Sequence, residues 1–110
     1  CIHQSAAFHQ NLRIGEVVSA HLLGADNSDI AQHFATAGQS LLADIADRGW
    51  FNGAAASRRL VGAVAEWHGV LAEMHQYGTH SICVMDVRSC DFLPHGAVLT
   101  YQRGQYGSAG

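Results

Sequence analysis

Lysine is absent from this chain, and its six basic residues are all arginines, scattered apart from one adjacent pair. With a formal net charge of −3 and no basic stripe, the chain offers little to a phosphate backbone, so we expect no nucleic-acid partner. No apolar run approaches the roughly 18 residues that a membrane-spanning helix requires. The sequence therefore predicts a soluble protein with no membrane span.

Cysteine is also scarce, with three residues at irregular spacing. An odd number without regular spacing is no disulfide framework and favours a reducing compartment, so we expect a cytoplasmic location. A removed signal sequence or a lipidated Cys1 is an open alternative. Charged residues make up only 14% of the chain against 48% hydrophobic ones, which predicts that a second copy or a protein partner covers some apolar surface.

The hydrophobic pattern changes near Gly78, where an apolar period of three to four residues gives way to short apolar runs bounded by turn residues. This change predicts helices followed by a C-terminal β-hairpin. The expected fold class is α+β, with two long packed helices and a single domain over residues 1–103. The Gly-rich residues 104–110 are expected to form a flexible tail.

Two long helices are predicted from apolar spacing and capping residues. The first should begin at Asn27 or Ser28 and end at Gly49, a natural helix stop. The second should run from about Ala54 to Tyr77, because its large apolar residues are spaced as a packing seam. Those seam residues are Leu60, Val64, Trp67, Leu71 and Met74.

The remaining segments are assigned to strands and one short helix. Residues 5–23 fit both helical and strand periods, and we favour a short helix to about Asn11 followed by a strand over residues 12–20, which would be a third strand. The apolar run over residues 81–87 predicts one hairpin strand, and residues 97–102 predict the other.

Histidine and cysteine come together in sequence at His80, Cys83, Cys90 and His95, a set that could hold zinc in tetrahedral geometry. An unbroken strand would separate Cys83 from Cys90 by about 23 Å, too far for a shared ion, so the metal site requires a bend. Buried structural thiols are the alternative interpretation. Apart from this zinc hypothesis, no cofactor is predicted.

Three segments resemble, in order, landmarks of the hot-dog-fold acyl-thioester hydratases and thioesterases. They are residues 29–35 (Asp-Ile-Ala-Gln-His-Phe-Ala), residues 68–71 (His-Gly-Val-Leu), and residues 92–94 with Gly96. This resemblance implies a small enzyme or binding domain for acyl thioesters, with His68 and Glu73 near its pocket.

The leading functional hypothesis is a non-catalytic protein-protein interaction or assembly module that packs through apolar helix faces. It depends on the low charge and on the small residues that both predicted helices carry on one side, which would let helices approach closely. The hot-dog-like acyl-thioester domain and the His/Cys metal-binding domain are the two alternatives.

Overall fold

Strands dominate the protein, whose computed structural model describes residues 1–36, 49–52, 59–93 and 96–110. These residues form eight β-strands and two short α-helices, and the predicted α+β fold of two long packed helices is wrong. In chain order the elements are β1 (Ile2–His3), α1 (Ala7–Asn11), β2 (Val17–Leu22), α2 (Ser28–Ala35), β3 (Phe51–Asn52), β4 (Arg59–Leu60), β5 (Ala65–Tyr77), β6 (His80–Phe92), β7 (Val98–Gln102) and β8 (Gln105–Ala109).

The strands form three sheets in the described part of the chain. One has four strands in the order β1-β6-β5-β2, and the other two are the pairs β3-β4 and β7-β8. A two-residue turn, Gly78–Thr79, joins β5 to β6, and Gly78 has a φ of 57°, which suits the first position of a type II′ hairpin turn. The two predicted hairpin strands, residues 81–87 and 97–102, were thus placed correctly as β6 and β7. They do not form a hairpin with each other, because β6 neighbours β5 and β7 pairs with β8.

The predicted second helix is wrong because residues 65–77 form a strand; residues 54–58, where it was expected to begin, lie outside the described residues. Burial in β5 alternates over residues 69–71, where Gly69 and Leu71 are buried and Val70 between them is half-buried. Trp67 and Leu71 are four residues apart, a spacing that fits both a helix and a strand, so their separation could not decide between the two.

Gly69 is required for the close approach of β5 and β6. A Cβ atom built at this position would collide with the backbone carbonyl oxygen of Asp86 on β6. Backbone atoms of a paired strand cannot move aside as the end of a flexible side chain can. The absence of a side chain at Gly69 is therefore part of what holds this hairpin together.

We expect Gly69→Ala to lower the free energy of unfolding by about 2 kcal/mol, the typical cost of forcing extra volume into a packed site. Urea denaturation followed by circular dichroism measures this change. Ala72→Val, at an exposed position on the same strand, is the matched control and should change stability by less than about 0.5 kcal/mol. A Gly69→Ala protein as stable as the parent would contradict the predicted clash.

The predicted start of the first long helix is confirmed. Helix α2 follows Asn27 at the N-cap position and has Asp29 in its first turn, as expected. The helix ends at Ala35, with Thr36 as its C-cap. The rest of the predicted helix falls mostly on residues 37–48, which lie outside the described residues.

The chain forms two compact units. The first comprises residues 1–20 and 67–90, and the second comprises residues 21–66 and 91–110. In the first unit Leu71 and Ser81 are almost completely buried. The second unit has its own apolar cluster, formed by Ile30, Trp50, Leu60 and Ala63 with Leu23 and Phe51 packed against it. The single domain over residues 1–103 stays a prediction, and β8 lies within the segment predicted to be a flexible tail.

Candidate functional site

The β7-β8 hairpin of the second unit places two tyrosines side by side. Its turn consists of Arg103 and Gly104, with φ angles of 51° and 77°; positive φ at both central positions defines a type I′ turn. This turn fixes the register, so that Tyr101 lies directly opposite Tyr106. Their ring centroids are 4.9 Å apart and the rings are tilted by 52°. The ring of Tyr101 remains largely exposed, with 66% of the residue accessible.

Beside these rings lies a concave surface that we call the tyrosine groove, with a volume of about 420 Å³. Helix α2 contributes Ala31 and Ala35, which share one helix face because they are four residues apart, and their small side chains leave the groove open. Leu23 and the β7-β8 hairpin form the other two sides of the groove. A hydrogen bond joins these two sides, in which the backbone N–H of Leu99 donates to the carbonyl oxygen of Leu23 at 2.9 Å. The groove is lined by Leu23, Ala31, Ala35, Leu99, Thr100, Tyr101 and Tyr106.

The lining is mostly apolar, and its residues that carry hydroxyl groups are Thr100, Tyr101 and Tyr106. An apolar concavity of several hundred Å³ with a few hydroxyl groups is typical of sites for small organic ligands. The exposed face of Tyr101 can stack on a planar ring. The arrangement suits the binding of an aromatic heterocycle.

A second concave surface of the same unit, about 400 Å³, lies around β4. Its buried Glu66 accepts a hydrogen bond from the backbone N–H of Leu60 at 2.9 Å and lies 3.9 Å from Nε2 of His21. On the rim, Arg59 and Asp91 form an ion pair at 2.6 Å with both side chains more than half exposed, so the pair adds at most about 1 kcal/mol to stability. The hydrogen bond from Leu60 gives Glu66 a structural role.

In the first unit, His80 faces His3 across β6 and β1. The two residues are register partners, and their ring centroids are 4.9 Å apart. The backbone N–H of Ser5 donates to Nδ1 of His3 at 3.1 Å. Because a backbone N–H can only donate, Nδ1 of His3 is the acceptor and Nε2 carries the ring proton. A metal ion at Nε2 would have to displace that proton and break this hydrogen bond.

The structure does not bring the other predicted zinc ligands together. Cys83 and Cys90 both lie on β6, seven residues apart, which corresponds to about 23 Å along a strand. His95 lies outside the described residues. Within residues 1–36, 49–52, 59–93 and 96–110, no three histidine, cysteine, aspartate or glutamate side chains are grouped closely enough to hold a metal ion.

The structure also separates His68 from Glu73, the pair implied by the hot-dog resemblance. Both lie on β5, and five residues along a strand correspond to about 16 Å and to opposite faces of the sheet. Glu73 instead lies 3.3 Å from Nε2 of its neighbour His75. These two residues cannot act together on one bond.

One further pair has the composition of a nucleophile and its base. Nε2 of His9 lies 2.8 Å from Oγ of Ser81. Ser81 has no exposed surface, so no substrate can reach its hydroxyl group. The contact fastens α1 to β6 and is structural.

Comparisons with known proteins identify the family of this protein. The chain belongs to the flavin reductase like domain family, whose model matches residues 1–110. A relative from Pseudomonas aeruginosa, the reductase component of 4-hydroxyphenylacetate 3-monooxygenase, is 26% identical over 102 residues. That alignment covers 92% of this chain, and the chain spans 60% of the relative's length.

Solved structures share the fold. BorF, the flavin reductase component of a bacterial two-component tryptophan halogenase, matches with a TM-score of 0.83 at 24% identity, over 97% of this chain and 68% of that one. The NADH:FAD oxidoreductase SgcE6 of Streptomyces globisporus C-1027, solved with NAD and FAD fragments, matches with a TM-score of 0.82 at 20% identity, over 100% of this chain and 66% of that one. At these identities the likeness establishes the fold alone.

Family membership overturns the hypothesis of a non-catalytic assembly module that packs through helix faces, together with its acyl-thioester and metal-binding alternatives. The long helix faces on which the leading hypothesis depended do not occur among the described residues. None of the described helices is long and apolar enough to cross a membrane.

Proposed function

We propose that this protein is a flavin reductase, which transfers a hydride from NADH to a flavin. The observation that supports this most strongly is the match of the family model to all 110 residues. SgcE6, which has the same fold, is named as an NADH:FAD oxidoreductase. The flavin is the substrate, and NADH is the source of the hydride.

The tyrosine groove fits a flavin. The ring system of a flavin is flat, with apolar faces and a polar edge, and it needs apolar walls with a few hydrogen-bonding groups. Leu23 and Leu99 supply apolar surface, and Tyr101 supplies an exposed aromatic face. Hydride chemistry is intrinsic to the flavin and the nicotinamide, and the protein's task is to bind and orient them.

A turnover assay tests the proposal. Purified protein supplied with NADH and one flavin at a time, FAD, FMN or riboflavin, should consume NADH with a turnover number on the order of 1–1,000 per second. NADPH in place of NADH tests which hydride donor is used. The activity should elute with the protein during size-exclusion chromatography, which separates it from a contaminating reductase. No consumption of NADH or NADPH with any of the three flavins would refute the proposed function.

The partner would be an enzyme that consumes reduced flavin. The relatives named as components of a monooxygenase and a halogenase support this extension. Oxygen-dependent product formation by a flavin-dependent monooxygenase or halogenase, supplied with this protein, NADH and flavin, would test it. We also propose a cytoplasmic location, because Cys1, Cys83 and Cys90 are all free thiols, as expected in a reducing compartment.

A further inference from the structure

We propose that Ser28 and Ser108 bind the ribityl chain of a flavin whose ring lies in the tyrosine groove. This inference rests on the proposed function and names a further contact of the same ligand. Three observations support it: a second concave surface that adjoins the groove, the faces on which the two serines lie, and their distance from the groove residues.

The second concave surface, which we call the serine pocket, has a volume of about 260 Å³. It is lined by Ala25, Ser28, Leu99, Tyr106, Gly107 and Ser108. Leu99 and Tyr106 also line the tyrosine groove, so the two concave surfaces adjoin each other at these residues. A ligand that fills the groove can therefore extend into the serine pocket.

On helix α2, Ser28 lies on the same face as the two alanines of the groove. It comes three residues before Ala31 and seven before Ala35, and residues at these spacings form one stripe along a helix. Ser28 is the first residue of α2, about 4.5 Å along the helix axis from Ala31. The helix therefore offers small apolar side chains along the groove and a hydroxyl-bearing residue where the serine pocket begins.

The β7-β8 hairpin offers a second stripe that ends in a serine. Ser108 lies directly opposite Leu99, as Tyr106 lies opposite Tyr101. Directly opposite residues share a face of the sheet, and so do residues two apart on one strand, which places all four side chains on one face. Ser108 is about 7 Å along the strand from Tyr106, which is about the reach of the ribityl chain.

The chemistry of the ribityl chain suits this end of the site. It is a flexible chain of hydroxyl-bearing carbon atoms, and each hydroxyl group both donates and accepts hydrogen bonds. Within the described part of the chain, neither serine side chain has a hydrogen-bond partner, so both hydroxyl groups can bond to a ligand. With the flavin ring against Tyr101 and Ala35, the apolar groove holds the ring and the serine pocket holds the polar chain.

The test compares riboflavin with lumiflavin, which has the same ring but a methyl group in place of the ribityl chain. Dissociation constants for both are measured by flavin fluorescence, with the parent protein and with the double variant Ser28→Ala/Ser108→Ala. We expect the double variant to raise the constant for riboflavin about tenfold and that for lumiflavin less than about twofold. Ser19→Ala, at an exposed position of β2, is the control and should change neither.

Two further measurements separate binding from folding. Because Asn27 and not Ser28 occupies the N-cap of α2, the double alanine variant should keep the parent's Tm. The double variant Ser28→Thr/Ser108→Thr keeps both hydroxyl groups and should bind riboflavin more tightly than the alanine variant does.

Other results would overturn the inference. Equal weakening for riboflavin and lumiflavin would mean that the serines support the groove and do not contact the chain. A parent protein that binds lumiflavin as tightly as riboflavin would show that the chain makes no favourable contact. Either result, with flavin reduction intact, refutes only this inference. A parent protein that neither binds nor reduces any flavin refutes the proposed function and this inference together.

Discussion

Ala35→Trp is expected to weaken flavin binding about 100-fold, equivalent to about 2.7 kcal/mol. Ala35 lies in the wall of the tyrosine groove, where its small side chain leaves open the space that the ring would occupy. An indole at this position would occupy part of the groove that the flavin ring needs. Because Ala35 is exposed and ends α2, the larger side chain can be accommodated without disturbing buried residues.

The control for this experiment is Gln32→Trp, which places the same side chain on an exposed position of the same helix outside the groove lining. It should bind flavin within about twofold of the parent. Equilibrium binding by fluorescence, together with the KM for flavin, measures both variants. If both tryptophan variants bind flavin as tightly as the parent, the ring binds elsewhere, and the groove assignment is wrong.

Asn27→Leu is expected to lower the free energy of unfolding by about 3 kcal/mol, which corresponds to a fall in Tm of roughly 10 °C or more. Asn27 is buried, with 6% of its surface exposed. Its Oδ1 accepts from the backbone N–H of Gly24 at 2.9 Å, and its Nδ2 donates to the carbonyl oxygen of Val61 at 3.1 Å. Leucine has a similar size but leaves both backbone groups without their partner.

Asp26→Ala, at the exposed neighbouring position, is the control and should change stability by less than about 0.5 kcal/mol. Thermal unfolding followed by circular dichroism measures both variants. Since Asn27 immediately precedes α2, its loss should also weaken flavin binding through the helix that carries Ala31 and Ala35. An Asn27→Leu protein with the parent's Tm would show that the two hydrogen bonds contribute little.

Local signals in the sequence were sufficient to predict a helix or strand where a capping residue or a turn marked its end. A short helix does end at Asn11, α2 does begin after Asn27, and β7 lies within the predicted strand of residues 97–102. These features depend on neighbouring residues alone, so the sequence carries enough information to place them. The two-residue turn Gly78–Thr79 was similarly visible, but only as the end of a supposed helix.

Strand β5 could not be recognised because its apolar spacing satisfies two periods. Its interior residues also include Gly69, whose lack of a side chain allows β6 to come so close there. That contact is with Asp86, 17 residues away, and no local propensity reports it. Tertiary pairing therefore decided the conformation of residues 65–77 against their helical pattern.

The candidate site was missed for a related reason. The residues that the sequence hypotheses assigned to a site were titratable or metal-binding ones, whereas the tyrosine groove is lined by leucines, alanines, a threonine and two tyrosines. The available signal was the short run from Tyr101 to Tyr106, with a Gly-containing pair at its centre and strand-forming residues on both sides. Reading that run as a hairpin would have placed the two rings together.

By itself the sequence determined the chain's low charge, the start of α2 and the positions of β6 and β7, because these follow from composition and from contacts between near neighbours. The tertiary structure decided which strands pair and which side chains line the groove. Tyr106 is distant in the sequence from Leu23 and Ala31, and only the folded second unit brings them to one surface. The free energy of pairing two strands depends on the residues of both, so the sequence of one strand alone does not specify its partner.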